Sequence, residues 1–241
     1  MNKVFLQLDY PTGTMFEWSA TAKEGFDKHE SENKKGQTVI SYRKFYKKGV
    51  TGVLESMGLY DKKMGETTIK QLSLTLKDGD NIYYTPFNLY SQKGSFDTFA
   101  ESVIKHLPNL QKGIEYTIYP YNFVPEGATK SSKGVSIKSG ETKVERLSES
   151  YTKKDGESIV GDIPAIVYKE DKIDPSKRKP TAASLEAKEE YLAEVLKIAC
   201  ERLKWVSNGE AKSNTETPKA QAPKQESTST PKITDTDDLP F

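Results

Sequence analysis

The 241-residue chain has only one cysteine, two histidines and no long apolar run. A single cysteine excludes a disulfide framework within the chain and any zinc site built from several cysteines. The two histidines, His29 and His106, are far apart and lack the spacing of a metal-binding pair on one helix. No stretch approaches the ~18 apolar residues of a membrane span. We therefore expect a soluble, intracellular protein that needs no metal or other cofactor.

The sequence also lacks the motifs of common enzyme classes. Neither GxGxxG nor GxxxxGK[ST] occurs, so no glycine loop is indicated that would cradle phosphates. The segment Asp78-Gly79-Asp80-Asn81 superficially resembles a calcium loop, but the twelfth position is Leu89 and not the glutamate that such loops use. No carboxylates cluster at an obvious metal-binding spacing. We predict a protein that catalyses no reaction.

Residues 208–241 differ in composition from the rest of the chain. Only six of these 34 residues are apolar, and four basic residues stand against six acidic ones. Residues 1–207 carry 32 basic and 29 acidic residues, so the overall charge of +1 conceals a mildly bipolar chain. A segment this poor in apolar side chains cannot offset the entropic cost of folding. We expect it to form a disordered tail.

Residues 1–145 show the two-residue alternation of β-strands. Leu72, Leu74 and Leu76 alternate with polar residues, and Asp78-Gly79 then offers a turn before residues 82–87, which predicts a hairpin. Further strands are predicted at residues 4–8, 15–19, 38–46, 50–57, 114–123 and 135–137. Short connections favour a largely antiparallel sheet.

Two helices are predicted. Residues 96–107 place apolar side chains on a shared face, with Ser95 positioned to cap the first turn and Pro108 ending the helix. Residues 181–207 are rich in strong helix formers and keep a long apolar stripe, in which Cys200 is expected to be a small buried group. We expect this second helix to pack on the domain, or alternatively to offer a surface for a partner or for self-association.

These elements predict a mainly β protein. Short antiparallel strands with one interposed helix favour an OB-fold-like antiparallel barrel with extra hairpins, one short helix, one long C-terminal helix and a disordered tail. A β-sandwich is the alternative architecture. The predicted organisation is an OB-like domain at residues 1–180, in which 145–180 form a charged connector, then the helix at 181–207 and the tail at 208–241.

Two of the predicted strands carry a face on which aromatic rings alternate with cationic or polar groups. On strand 114–123, the core face is expected to hold Ile114, Tyr116 and Ile118. Unpaired bases stack on aromatic rings irrespective of sequence, while lysines follow the phosphates. The predicted DNA-binding residues are Tyr42, Lys44, Tyr46, Lys48, Tyr119, Tyr121 and Phe123. A register error of one residue would exchange the two faces of a strand.

Other aromatic and basic points are scattered through the chain. They comprise Tyr60-Asp61-Lys62-Lys63 and the pair Tyr83-Tyr84. Either segment alone is weak support for nucleic-acid binding, because tyrosines are common in half-buried strands and lysines on most surfaces. Together with the two stripes they favour a nucleic-acid-binding protein.

The C-terminus carries a specific signature. It reads Ile233-Thr234-Asp235-Thr236-Asp237-Asp238-Leu239-Pro240-Phe241, an acidic and apolar tip. This ending resembles that of bacterial single-stranded DNA-binding proteins, whose tails finish with several aspartates, an aliphatic residue, Pro and Phe. That pattern is occupied by Asp235, Asp237, Asp238, Leu239, Pro240 and Phe241, with Leu where Ile is commoner. The body shares no alignable motif with the bacterial family, and its longer β portion makes the chain resemble a bacteriophage single-stranded DNA-binding protein with a bacterial-type tip.

The resemblance implies a function. Such a protein coats single-stranded DNA without sequence preference in DNA replication, recombination and repair, and it recruits replication and recombination proteins through its tip. It would act in the cytoplasm, of an infected bacterium if the chain is viral, and it would not bind membranes. Two alternatives remain: an RNA-binding protein that uses the same face, or a nuclease-like replication accessory enzyme that uses the tail as a docking tag.

Overall fold

A computed structural model describes residues 1–32, 36–152, 157–170 and 178–204. The main sheet has ten strands: β1 (Asn2–Asp9), β2 (Thr14–Ser19), β3 (Asp27–Glu32), β4 (Thr38–Tyr46), β5 (Val50–Met64), β6 (Thr67–Asp78), β7 (Asn81–Asn88), β8 (Glu115–Phe123), β9 (Ser132–Ser139) and β10 (Thr142–Lys143). Two small ribbons pair β11 (Tyr151–Thr152) with β12 (Ser158–Ile159) and β13 (Tyr168–Glu170) with β14 (Arg178–Pro180). The helices are α1 (Thr98–His106), a 3₁₀ turn (Leu107–Asn109) and α2 (Ala182–Leu203). The predicted tail at 208–241 lies outside the described residues.

The strand order of the main sheet is β10-β9-β8-β5-β6-β7-β1-β2-β4-β3. Neighbouring strands are antiparallel except for β1 and β7, which run parallel. The mainly β class, the two helices and the hairpin through Asp78-Gly79 are confirmed, and β6 pairs with β7 along its length. Within the described ranges no ladder joins the outermost strands β10 and β3, so hydrogen-bonded strands do not close this sheet.

The sheet nevertheless curls until the β1–β2 turn reaches β8. The side-chain amide of Asn122 donates to the carbonyls of Tyr10 and Pro11, at 3.0 and 3.1 Å. Gly13, at φ +65°, lies so close to β8 that a Cβ built on it would be 2.3 Å from the carbonyl carbon of Tyr121. A side-chain amide and a close backbone contact therefore hold the turn on β8 without a strand ladder.

The core lies on one face of the sheet. On β6 the predicted leucine face is buried, since Leu72, Leu74 and Leu76 are fully buried. The prediction that only this face is buried was wrong, because Ser73 and Thr75 between the leucines are 4% and 3% exposed. Both helices cover this face, α1 with Phe99, Val103 and Ile104 and α2 with Leu192, Leu196, Ala199 and Leu203. Cys200 is half-buried at the margin of the same core.

Helix α1 begins later than the sequence indicates. Its cap is Asp97, whose carboxylate accepts a hydrogen bond from the Phe99 backbone N–H at 2.9 Å, and not Ser95. Ser95 instead closes the preceding loop, because its carbonyl accepts a bond from the Ser91 N–H at 2.8 Å. Asp97 is extended, with ψ at 144°, as an N-cap residue should be.

An ionic cluster joins the two helices. The Glu101 carboxylate of α1 lies 2.6 Å from the Nζ of Lys105 and 2.7 Å from that of Lys188 on α2. Lys105 also pairs with Glu149, in the segment after β10. Burial acts to raise the pKa of Glu101, but the hydrogen bonds from both lysines outweigh it and the pKa is lowered. The carboxylate is therefore ionised at neutral pH and helps to fix α2 on α1.

The contact between Gly13 and β8 yields a stability prediction. Both Gly13→Ala and Gly25→Ala put a Cβ on a left-handed residue, at φ +65° and +76°, which costs about 1–2 kcal/mol. Only at Gly13 does the new Cβ meet backbone, since nothing lies within 4 Å of the corresponding position at Gly25. We expect Gly13→Ala to lower the free energy of unfolding in urea by about 1–3 kcal/mol more than Gly25→Ala. Equal losses would contradict the described contact.

Candidate nucleic-acid interface

A trough of about 620 Å³ lies on the face of β8 and β9 that points away from the core. Four of the seven residues predicted to bind DNA line it together: Lys48, Tyr119, Tyr121 and Phe123. The position of Lys48 follows from the next residue, Gly49. A Cβ on Gly49 would be only 2.7 Å from the carbonyl oxygen of Ile118, so the β4–β5 turn rests directly on β8.

The alternation of β8 places its aromatic rings in the trough. Tyr116 and Ile118 are buried in the core, as expected, and the intervening side chains point the other way. Ile114 was expected on the same core face, but it precedes the strand and is 41% exposed. Tyr119 is 42% exposed and Phe123 is 54% exposed. The ring centroids of Tyr121 and Phe123 are 5.8 Å apart and the ring planes are tilted by 48°, so the two rings form one aromatic surface that is not flat. Such rings can accept planar apolar groups.

The trough also carries an excess of positive charge. Lys138 of β9 and Lys143 of β10 line it together with Lys48, whereas Glu141 is the one acidic side chain among its described lining residues. The trough opens broadly to water, and its lysines are therefore well hydrated. Aromatic rings beside hydrated cations suit a ligand that is both planar and anionic.

The other three predicted residues lie elsewhere. Tyr42, Lys44 and Tyr46 share the face of β4 that turns towards the core, and they do not line the trough. Tyr46 is half-buried against Tyr83, with ring centroids 5.8 Å apart, and burial raises its pKa. Lys44 lies opposite Glu17 on β2 and 5.7 Å from the Tyr46 ring. Their contribution to DNA binding stays a prediction.

A second aromatic cleft, of about 390 Å³, lies on β1, β5, β6 and β7. Phe5 and Tyr84 stack on each other there, with ring centroids 4.7 Å apart and planes 9° apart. Tyr60 and Lys62 line the same cleft from the long β5 strand. Phe5 is 65% exposed and Tyr60 is 50% exposed. Phe5 is a site candidate that the sequence patterns had not singled out.

Three further predictions concern the acidic tip, metal binding and membrane-spanning helices. The acidic tip at residues 235–241 lies outside the described residues. In the described part of the chain, no group of three or more His, Cys, Asp or Glu side chains is arranged to hold a metal ion. None of the described helices has the length and apolar character needed to cross a membrane.

Comparisons with protein family models, with curated proteins and with solved structures gave no match to this chain.

Proposed function

We propose that this protein binds single-stranded DNA without sequence preference and serves DNA replication, recombination or repair. The observation that carries the proposal is the trough, in which Tyr119, Tyr121 and Phe123 stand beside three lysines. Binding of unpaired strands without sequence preference needs rings on which any base can stack and cations that follow the phosphates. Duplex DNA offers no unstacked base, so the rings favour a single strand.

We also propose that part of the sheet is an OB-type barrel, which is a five-stranded, partly open Greek-key barrel. Strands β5, β6 and β7 form a meander, α1 follows, and β8 returns to pair with β5. The fifth strand would be β1, which runs parallel to β7 and whose turn is held on β8 by Asn122. Strands β2, β3, β4, β9 and β10 are then the extra hairpins.

The barrel assignment gives the second cleft a role. OB folds bind oligonucleotides on the face of their second and third strands, which correspond here to β6 and β7. The cleft of Phe5, Tyr84 and Lys62 lies on that face, and Ser73 and Pro86 also line it. We assign it to the DNA-binding surface together with the trough.

The tip supplies the second half of the proposal. Phe241 offers an apolar ring close behind the aspartates, so a partner pocket that is apolar at its base and basic at its mouth can hold both. The aspartates add longer-range attraction to such a mouth. We propose that the tip recruits replication and recombination proteins, and that the protein acts in the cytoplasm, of an infected bacterium if the chain is viral.

The first test is a salt titration with fluorescent oligo(dT). Each lysine that neutralises a phosphate contributes about −0.7 to the slope of log affinity against log salt concentration. Three trough lysines therefore predict a slope of about −2 or steeper. Duplex DNA of equal length should bind much more weakly. Equal affinity for duplex and single strand would contradict the proposal. Tighter binding of oligo(U) than of oligo(dT) would instead indicate an RNA-binding protein.

The second test removes one ring from the trough. Phe123→Ala should weaken oligo(dT) binding by about 1–3 kcal/mol, because a stacked base loses its platform. Tyr168→Ala is the matched control, since Tyr168 is as exposed, at 55% against 54%, but lies outside the trough. Both variants should melt close to the parent temperature. Equal oligo(dT) affinities for the two variants would remove the trough from the binding surface.

The third test removes the tip. Deletion of residues 235–241 should leave oligo(dT) binding intact or slightly tighter, because three aspartates compete with phosphate for the same basic surface. It should abolish binding of a replication partner in a titration or pulldown. The matched control is Phe241→Ala, which keeps the aspartates but removes the aromatic ring. If the Phe241→Ala chain bound the partner as well as the parent does, the docking mechanism would be wrong.

A further inference from the structure

The outer face of the sheet carries a row of large side chains that crosses four strands. The parallel pairing of β1 with β7 sets Phe5 beside Tyr84, and the pairing of β2 with β4 sets Trp18 beside Arg43. The ladder of β1 with β2 ends at the pair Leu6–Glu17, and one residue beyond that pair Phe5 and Trp18 lie on the same outer face of the sheet. The row is therefore Tyr84–Phe5–Trp18–Arg43.

These side chains point away from the core. On the same strands Leu6 and Met15 are buried in the core, and Phe5 and Trp18 alternate with them. Trp18 is 47% exposed and Phe5 is 65% exposed. No described residue covers either ring fully, so an indole and a phenyl group face water on a strand surface.

Packed side chains lie on the outer face near the Trp18 end of the row. Phe16 lies on the same outer face, is only 5% exposed, and contacts Phe45 with ring centroids 5.6 Å apart. The Arg43 guanidinium lies 4.7 Å from the Phe16 ring centroid. Packing that holds neighbouring rings in place lowers the entropic cost of binding a ligand beside them.

The charge of the row suits an anionic ligand. Arg43 ends it, and its buried Nε has no hydrogen-bond partner among the described residues. Asp27 of β3 lies opposite Arg43 and is the acidic group at that end. Lys62 lines the cleft at the other end, beside Phe5 and Tyr84. Cations thus flank the rings at both ends.

We infer that the row Tyr84–Phe5–Trp18–Arg43 is a second platform for unpaired bases, on which Trp18 stacks a base and Arg43 meets a phosphate. The inference rests on the proposed function and extends it to β2 and β4, which lie outside the proposed barrel. Neighbouring strands are about 4.8 Å apart, so the row spans about 14 Å across the sheet. It lies on strands different from those of the trough, and it therefore lengthens the stretch of DNA that one molecule covers.

Two tryptophans, Trp18 and Trp205, are present in the chain, and this allows a direct test. In a Trp205→Phe variant of the full chain, Trp18 is the only indole. Saturating oligo(dT) should quench its fluorescence strongly, since a stacked base lies on the ring. Unchanged Trp18 fluorescence at saturation would overturn the inference, whatever the affinity.

Affinity provides the second measurement. Trp18→Ala should weaken oligo(dT) binding by about 5- to 150-fold, and Trp18→Phe should restore most of it, because a phenyl ring still stacks. Ile40→Ala is the matched control: Ile40 is also 47% exposed but lies on the opposite face of β4 from Arg43, and its loss should leave affinity unchanged. Parent-like affinity of a folded Trp18→Ala protein would overturn the inference.

The outcomes separate this inference from the proposed function. If the parent protein does not prefer oligo(dT) over duplex DNA, the proposed function fails and the row has no role in it. Suppose that the parent binds oligo(dT) and that Phe123→Ala weakens this binding, but that Trp18 fluorescence is not quenched and Trp18→Ala keeps the parent affinity. The proposed function then stands, and this inference alone is wrong. Should Trp18→Ala fail to fold, the fluorescence of the Trp205→Phe variant decides.

Discussion

The rest of this structure depends on one constraint: both helices pack on the same face of the main sheet. Successive side chains of a strand point to opposite faces, so Leu72, Leu74 and Leu76 can be fully buried only if their neighbours face the other way. Helices α1 and α2 both pack on the leucine face, fixed to each other through Glu101 and Lys188. On the other face Phe16, Ser73 and Thr75 are also buried, whereas the rings of Phe5, Trp18, Tyr119 and Phe123 remain exposed and available to a ligand.

The curl of the sheet decides where those exposed rings are presented. No ladder joins the end strands within the described residues, and the contact between the β1–β2 turn and β8 rests on Asn122 and on the missing side chain of Gly13. This turn ends the strand that carries Phe5, and Asn122 lies between Tyr121 and Phe123. The same few contacts thus fix the position of β1 relative to β8, and with it the two clefts on their outer faces.

The alternation of side chains along single strands was enough to predict some of the exposed aromatic surface but not all of it. On β8, Tyr116 and Ile118 identify the core face without ambiguity, so the three rings of the trough follow from sequence. On β4 both faces carry aromatic and cationic groups, and the choice between Tyr46 and Phe45 depends on which strand packs alongside. Phe5 contacts Tyr84 through a parallel pairing of strands about 80 residues apart, which no local pattern encodes. The edge strand β3 was missed because its Asp, Lys, His, Glu and Ser residues have no apolar alternation.

A chain with a net charge of +1 can bind an anionic polymer only if its charges are segregated. The trough does this locally, with three lysines against Glu141, while the second cleft adds Lys62 and the outer row adds Arg43. Even so, the rings of the two clefts outnumber the cations beside them, because six aromatic side chains line them against four lysines. As the salt concentration rises, the contribution of stacking to affinity falls little, whereas the contribution of phosphate contacts falls steeply. On the proposed function, a surface of this composition would hold a single strand through its bases as well as its phosphates, and the bases would separate it from a duplex, whose bases are already stacked.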